Sequence, residues 1–393
     1  MGNASSSTTF NADYESGIYM PETSSRTRNE INSQYSVAEP RIKNFTLSRR
    51  DNHGTWSLHF SESFGPIPRI GQFNAFDDVH NISYIGYGCG YDGKLLNDVW
   101  MLNIDELKWK HIKLTGEIKV SPRTDASAVL VENFLYVFGG YDENVFLDQL
   151  HQINIENGCV KFIQTCGDSP SPRSHPIFAY FNNSFFIWGG FNGQLPNNLH
   201  ILDTQTLLWE SLPQDVIGRK SAAWTILNEK IYSYGGSKSG GMLIIDMIQK
   251  KVSVEVTIGA NPPSRVANAG MTSFDRFLFF YGGTDPTHHT FLYGCDTNQM
   301  WWFVLHVLPD GETTSLSDGV VCRLGLFMLP RISSFVFNFN KKKRELVAFL
   351  GLPINEALPI SLINITDPIS VLNLREDMYH AFMFDTGLQL KLE

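Results

Sequence analysis

A hydrophobic strand ending in paired glycines recurs along this 393-residue chain. Four full copies read Leu135-Tyr-Val-Phe-Gly-Gly140, Phe185-Phe-Ile-Trp-Gly-Gly190, Ile231-Tyr-Ser-Tyr-Gly-Gly236 and Leu278-Phe-Phe-Tyr-Gly-Gly283. Reduced copies are Tyr87-Gly-Cys-Gly90 and Leu346-Val-Ala-Phe-Leu-Gly351. The last glycines are separated by 50, 50, 46, 47 and 68 residues. Units of this size cannot bury an apolar face alone, so they must stack or close on one another. The glycines (Gly90, Gly139, Gly140, Gly189, Gly190, Gly235, Gly236, Gly282, Gly283) are structural in this reading, because positive φ or close backbone approach after a strand needs a residue without Cβ. A phosphate cradle would need a following helix and lysine, and none appears.

Two further marks keep step with the glycines. Arg123, Arg173 and Arg219 each lie 17 residues before the last glycine of their copy; Arg265, Arg331 and Arg69 lie 18, 20 and 21 before theirs. Pro68, Pro122, Pro172 and Pro330 directly precede four of these arginines. Trp109, Trp209 and Trp302 each follow a last glycine by 19 residues. They are expected to pack blade against blade, since each brings a large apolar area. Each unit reads as four short strands, the first two joined by turns such as Glu132-Asn133, Asn182-Asn183 and Asn228-Glu229. A four-stranded unit of this length is the size of a propeller blade.

These residues resemble the kelch family of β-propellers, over about Trp56 to Asn373. The resemblance implies an all-β fold, a six-bladed kelch-type propeller following a disordered N-terminal tail. Departures are Val160 and Val252 near the tryptophan position of two blades, and one glycine and the tryptophan missing from the sixth. The strand Thr55-Trp-Ser-Leu-His-Phe60 is expected to complete the last blade, which removes exposed sheet edges. The propeller is placed at 53–374, with 375–393 unassigned. The excess spacing before the sixth copy implies an inserted loop near Pro309 to Ser317.

By the same resemblance, the loops before the first strands and after the glycine pairs line one face. That face would carry Arg69, Arg123, Arg173, Arg219, Arg265 and Arg331 with Tyr91, Asp92, Tyr141, Asp142, Glu143, Phe191, Asn192, Asp285 and His288. Mixed aromatic, arginine and acidic residues suit a protein or peptide partner. The bland alternative is that each arginine only staples the ring. His288-His289 supplies two ligands where a metal needs three or four, so neither metal nor cofactor is expected.

Composition narrows the function. Hydrophobic residues make up 42% and charged residues 18%, which excludes disorder of the whole chain. A net charge of −9 argues against a nucleic-acid partner held through phosphates. Five cysteines without a CxxC pair read as reduced thiols in a cytoplasmic protein. Residues 1–52, rich in Ser, Thr and Asn, read as a disordered tail. The start, Met1-Gly2-Asn3-Ala4-Ser5-Ser6, fits an N-myristoylation signal on Gly2. One such chain holds a membrane only marginally. Lys341-Lys-Lys-Arg344 is the one sharp basic run that could add to it, against its reading as a solvated turn. The expected function is a non-catalytic protein-interaction scaffold or adaptor, peripheral on the cytosolic face of a membrane through myristoyl-Gly2. The alternative is an enzyme acting on a sugar or other small molecule in the propeller channel.

Overall fold

The computed structural model describes residues 45–49, 54–368 and 388–392, with breaks at 117, 238–239, 285–290, 306, 315–328, 355–357 and 367. Residues 1–44 and 369–387, and with them Gly2, lie outside the described residues. Phe45–Arg49, inside the stretch expected as a tail, pairs antiparallel with Leu388–Leu392, inside the stretch left unassigned.

The body is a six-bladed β-propeller. Each blade is built on four antiparallel strands, and blade 1 holds Phe73–Asp77, Ile82–Gly86, Val99–Asn103 and Lys108–Ile112. Blades 2 to 5 begin at Ser127–Val131, Ile177–Phe181, Ala223–Leu227 and Gly270–Phe274. Blade 6 takes Val336–Asn340, Glu345–Phe349 and Ile360–Asn364 from the end of the chain and its outer strand, Gly54–His59, from the beginning. Thr55 pairs with Asn364 and His59 with Ile360. The first strand of the propeller therefore closes its last blade.

Local chemistry repeats with the blades. The turn between third and fourth strands is held by an Asn or Asp side chain that accepts two backbone N–H groups: Asn103 from Asp105 and Glu106, Asn154 from Glu156 and Asn157, Asp203 from Gln205 and Thr206, and Asp246 from Ile248 and Gln249. Such Asx turns fix a reversal that the following residue completes at positive φ, as at Leu107, Leu207 and Lys250.

The tryptophans join the blades. Trp109 of blade 1 meets Phe349 of blade 6, Trp209 of blade 3 meets Phe138 of blade 2, and Trp302 of blade 5 meets Tyr234 of blade 4. In each pair the partner belongs to the preceding blade and sits at the end of its second strand. Trp56 takes the same place in blade 6 and shares a core cluster with Tyr281 of blade 5. Where blade 4 carries Val252 instead, the preceding blade supplies Trp188 in the same cluster. Trp188, larger than the Phe or Tyr at the matching place of the other junctions, offsets part of the bulk lost at Val252.

Candidate protein-interaction face

The loops before the first strands and after the glycine pairs meet at one end of the propeller. Backbone bridges tie them within each blade: Thr124 to Tyr141, Ser174 to Phe191, Ala267 to Thr284 and Ser333 to Leu352. Arg69 pairs likewise with Gly90. Blade 2 shows why glycine suits these turns. Gly139 has φ +73°, and a Cβ there would stand 2.5 Å from the backbone oxygen of Arg173.

Arg69 and Arg123 are 0% exposed, Arg173 1% and Arg219 4%. They offer a ligand no side-chain surface, and their reading as ligand contacts is corrected. Their guanidinium groups instead fasten the loop backbone. The Nε of Arg69, Arg123 and Arg173 donates to the carbonyl two residues earlier, at 2.8, 3.1 and 2.9 Å. One terminal nitrogen of each reaches the glycine turn, at Tyr87 O, Gly139 O and Gly189 O. Arg219 donates to Ser233 O, Gly240 O and Gly241 O. This reach explains the fixed spacing between arginine and glycine.

Among the described residues, only Arg69 of these four has a carboxylate partner, donating to both oxygens of Asp98. Burial would push the Asp98 carboxyl up, but the hydrogen bond and charge of Arg69 outweigh it and hold the carboxyl below its usual range. Gln149 takes the equivalent place beside Arg123 and accepts at 2.9 Å. Burial pushes Arg173 down to about 10. Arg265 is exposed and Arg331 half-buried. Asp285 and His288 lie outside the described residues.

A polar belt that spacing alone did not reveal runs beneath these loops. Gly71, Asp125, His175, Ser221, Asn268 and Ser334 each stand two or three residues after a repeated arginine, all at positive φ. The N–H of Asp125 donates to Gly71 O, His175 to Asp125 O, Asn268 to Ser221 O and Ser334 to Asn268 O, at 2.7 to 2.9 Å. Gln72 Nε2 donates to Ser334 O at 3.0 Å and joins blade 6 to blade 1. First strands of blades 1 and 2, 2 and 3, 4 and 5, and 5 and 6 lie against each other, so this belt follows the inner strands of the propeller. His175 Nε2 lies 3.1 Å from Asp125 Oδ1 and its Nδ1 3.3 Å from Ser174 Oγ. Ser174 is itself buried. The signal was present as a small or polar residue at a fixed offset from each arginine.

Above the belt the face is aromatic and charged. Tyr91 is 59% exposed, beside Asp92 paired with Lys94. Tyr141 packs on Phe146 at 5.1 Å, Phe146 on Phe191 at 5.8 Å, and the Lys220 ammonium stands 4.1 Å over the Phe191 ring. All four are half-buried, so each keeps an accessible side. The sequence singled out Tyr141 and Phe191 but missed Phe146 and Lys220, which join them into one ladder across blades 2 to 4. Asp142 and Asn192 flank the ladder, with Asp142 accepting from Val145 N and Asn192 donating to Ser171 Oγ. Glu143 is exposed beside them. Among the described residues no group of His, Cys, Asp and Glu is arranged to hold a metal.

The closed ring, the repeated glycine turns and the loop face define a kelch-type propeller. Residues 39–236 match the KLHDC2/KLHL20/DRC7 Kelch-repeats domain, and the chain belongs to this Kelch-repeat family. It is 32% identical to acyl-CoA-binding domain-containing protein 4 of Arabidopsis thaliana, over 46% of this chain and 27% of that protein. It is 27% identical to Ras guanine nucleotide exchange factor F of Dictyostelium discoideum, over 51% of this chain and 14% of that protein. Kelch domain-containing protein 1 of Mus musculus is 23% identical over 54% of this chain and 62% of its own length. The chain thus spans about a quarter of the plant relative. Propellers of this family commonly serve as protein-interaction scaffolds.

Proposed function

We propose that this propeller is a non-catalytic scaffold that binds a protein or peptide partner on its loop face. The ladder Tyr141–Phe146–Phe191–Lys220 carries the reading. Partly exposed aromatic rings are enriched in interface cores, and tyrosine among them at hot spots. The rest of the end face, held by buried arginines and glycine turns, supplies a preorganised support.

The test is quantitative capture from the protein's own cells with wild type and with Tyr91→Ala, Phe191→Ala and Lys220→Ala. These side chains are accessible, so the unfolding midpoint should barely move. A partner held near stoichiometry by wild type and lost from the variants supports the face. An identical set of captured proteins from both overturns it. Alanine at Arg123, Arg173 or Arg219 would not serve, since loss of fold would mimic loss of binding.

The second element of the proposal is a myristoyl group on Gly2, which places the scaffold at a cytosolic membrane surface. The opening Met1-Gly2-Asn3-Ala4-Ser5-Ser6 supports it. The basic run contributes little to membrane attraction, because Lys341 pairs with Asp78 and Lys343 stands 3.8 Å from Asp105. The mass of the N-terminal peptide decides the point, and an unmodified or acetylated terminus removes it.

A further inference from the structure

The outer edges of the blades are protected in different ways, and blade 4 stands apart. In blades 3, 5 and 6 the segment leading into a neighbouring strand pairs in parallel with the outer strand: Cys166 with Leu208, Ile258 with Trp301, and Val307 with Gly54. In blade 2 a single parallel bridge joins Thr115 to Cys159. Among the described residues no further strand joins the outer strand of blade 1 either; there Ser63 Oγ accepts from Trp109 N at 2.7 Å, and Lys108, Lys110 and His111 are exposed along the edge. Charged edge strands of this kind resist pairing with another chain.

Blade 4 ends on Lys251–Glu255, and among the described residues no further strand joins that sheet. Its cover is one side chain. Gln214 Oε1 accepts from Val252 N at 2.9 Å, and Gln214 Nε2 reaches Lys250 O at 3.4 Å. A primary amide here imitates one residue of an added strand. Because Val252 turns its N–H to the edge, Val254 does so too, by the alternation of a strand. Val254 is 42% and Val256 85% exposed. An open, β-branched edge of this kind is a template for strand addition.

The sequence of the edge selects its partner. Lys251-Val252-Ser253-Val254-Glu255 is chemically self-complementary when paired antiparallel with a second copy about Ser253. That register sets Lys251 opposite Glu255 twice and Val252 opposite Val254 twice. It also matches the residues whose N–H and C=O groups face outward, which are the ones that must exchange hydrogen bonds. Centring on Glu255 would set two carboxylates face to face, and centring on Val254 would leave Lys251 opposite Thr257. Charge therefore favours one register. We propose that this chain forms a two-fold dimer in solution by antiparallel pairing of the blade 4 edges, with Val252 N–H passing from Gln214 to Val254 of the second copy. The contact is isologous, so it closes at two and leaves both loop faces free. The proposal is independent of the binding role assigned to that face.

Sedimentation equilibrium of the full chain tests it. The wild type should rise from its 44.4 kDa monomer mass toward twice that value with concentration. Lys251→Glu sets Glu against Glu twice, and Glu255→Lys sets Lys against Lys twice. Each alone should weaken the dimer by about tenfold or more, since opposite-charge cross-strand pairs become like-charge pairs. Mixed in equal amounts, the two variants are complementary again and should associate as heterodimers. Both substituted side chains are on the surface, and an unchanged unfolding midpoint separates dissociation from misfolding. A wild type that stays monomeric at its highest soluble concentration overturns the proposal. So do single variants that dimerise as the wild type does, or a mixture that stays monomeric.

Discussion

Arg69 and Arg173 occupy equivalent places in blades 1 and 3 but differ in one respect, and substituting each by methionine should separate the two. Arg69 donates to both oxygens of Asp98 and to two backbone carbonyls. Methionine there leaves the Asp98 carboxylate, 26% exposed, with Trp100 Nε1 at 2.7 Å in place of an ion pair. Breaking one side of a buried pair costs about 3–5 kcal/mol. The residual exposure and the indole bond put this case near the lower figure. Among the described residues Arg173 donates to neutral acceptors: Ser171 O, Ser171 Oγ and Gly189 O. Burial lowers its guanidinium from 12.5 to about 10. That displacement corresponds to about 3 kcal/mol against the charged form, at about 1.4 kcal/mol per tenfold. Methionine removes this penalty together with three hydrogen bonds, and a net change within about 1 kcal/mol is expected. Urea unfolding followed by tryptophan fluorescence should therefore show Arg69→Met losing at least about 2 kcal/mol more than Arg173→Met. The acid limb supplies a second readout. Asp98 is held below its usual range, so its stabilisation is present at neutral pH and lost as pH falls through the folded value. Arg69→Met should flatten that loss. Equal costs at the two positions would refute the reasoning, because a carboxylate partner would then make no difference.

Two further outcomes follow from the same geometry. Gly139→Ala should cost about 2–4 kcal/mol, since the new methyl meets the Arg173 carbonyl, whereas Gly93→Ala, also left-handed but with open space around it, should cost about 1 kcal/mol by the same unfolding assay. His151, fully buried beside Tyr87 at 2.5 Å, is pushed down to about 3 by burial and then by Arg123. A base depressed in the folded state is neutral there and protonates on unfolding. Stability should be full above about pH 6.5 and fall by up to about 1.4 kcal/mol per pH unit toward pH 3, a slope that His151→Gln should reduce in urea midpoints measured across that range.

Much of the ring was legible because closure of identical units leaves a periodic trace. The glycine pairs, the tryptophans and the early strand that finishes blade 6 keep near-regular spacings, since similar contacts recur at most junctions. Arginine burial was not legible. Spacing locates Arg173 before its strand but does not say whether the guanidinium turns outward to a ligand or inward to Gly189 O. That choice depends on loop closure over it, which is tertiary. The ladder was half legible for a related reason. Tyr141 and Phe191 follow glycine pairs and so carry a mark, while Phe146 and Lys220 reach it through loop lengths peculiar to their own blades. The missing tryptophan of blade 4 read as degeneracy, yet Trp188 across the junction offsets part of the lost bulk, a compensation visible only once neighbours are known.

These observations divide the chain by what repetition means. A residue required at every blade answers a demand every blade shares, and those demands are turning the chain, fastening the loop and filling the junction. The repeated arginines follow this logic: the four that keep the tightest hold on their own loops are the four buried ones. Recognition of a partner needs the opposite, because a six-fold surface would present the same chemistry in six directions and discriminate poorly. Asymmetry is therefore where binding should be sought. It is concentrated in blades 2 to 4, where the ladder Tyr141–Phe146–Phe191–Lys220 crosses the loop face and where, at the outer rim, blade 4 ends on a strand that no further described strand joins, with Val254 and Val256 exposed.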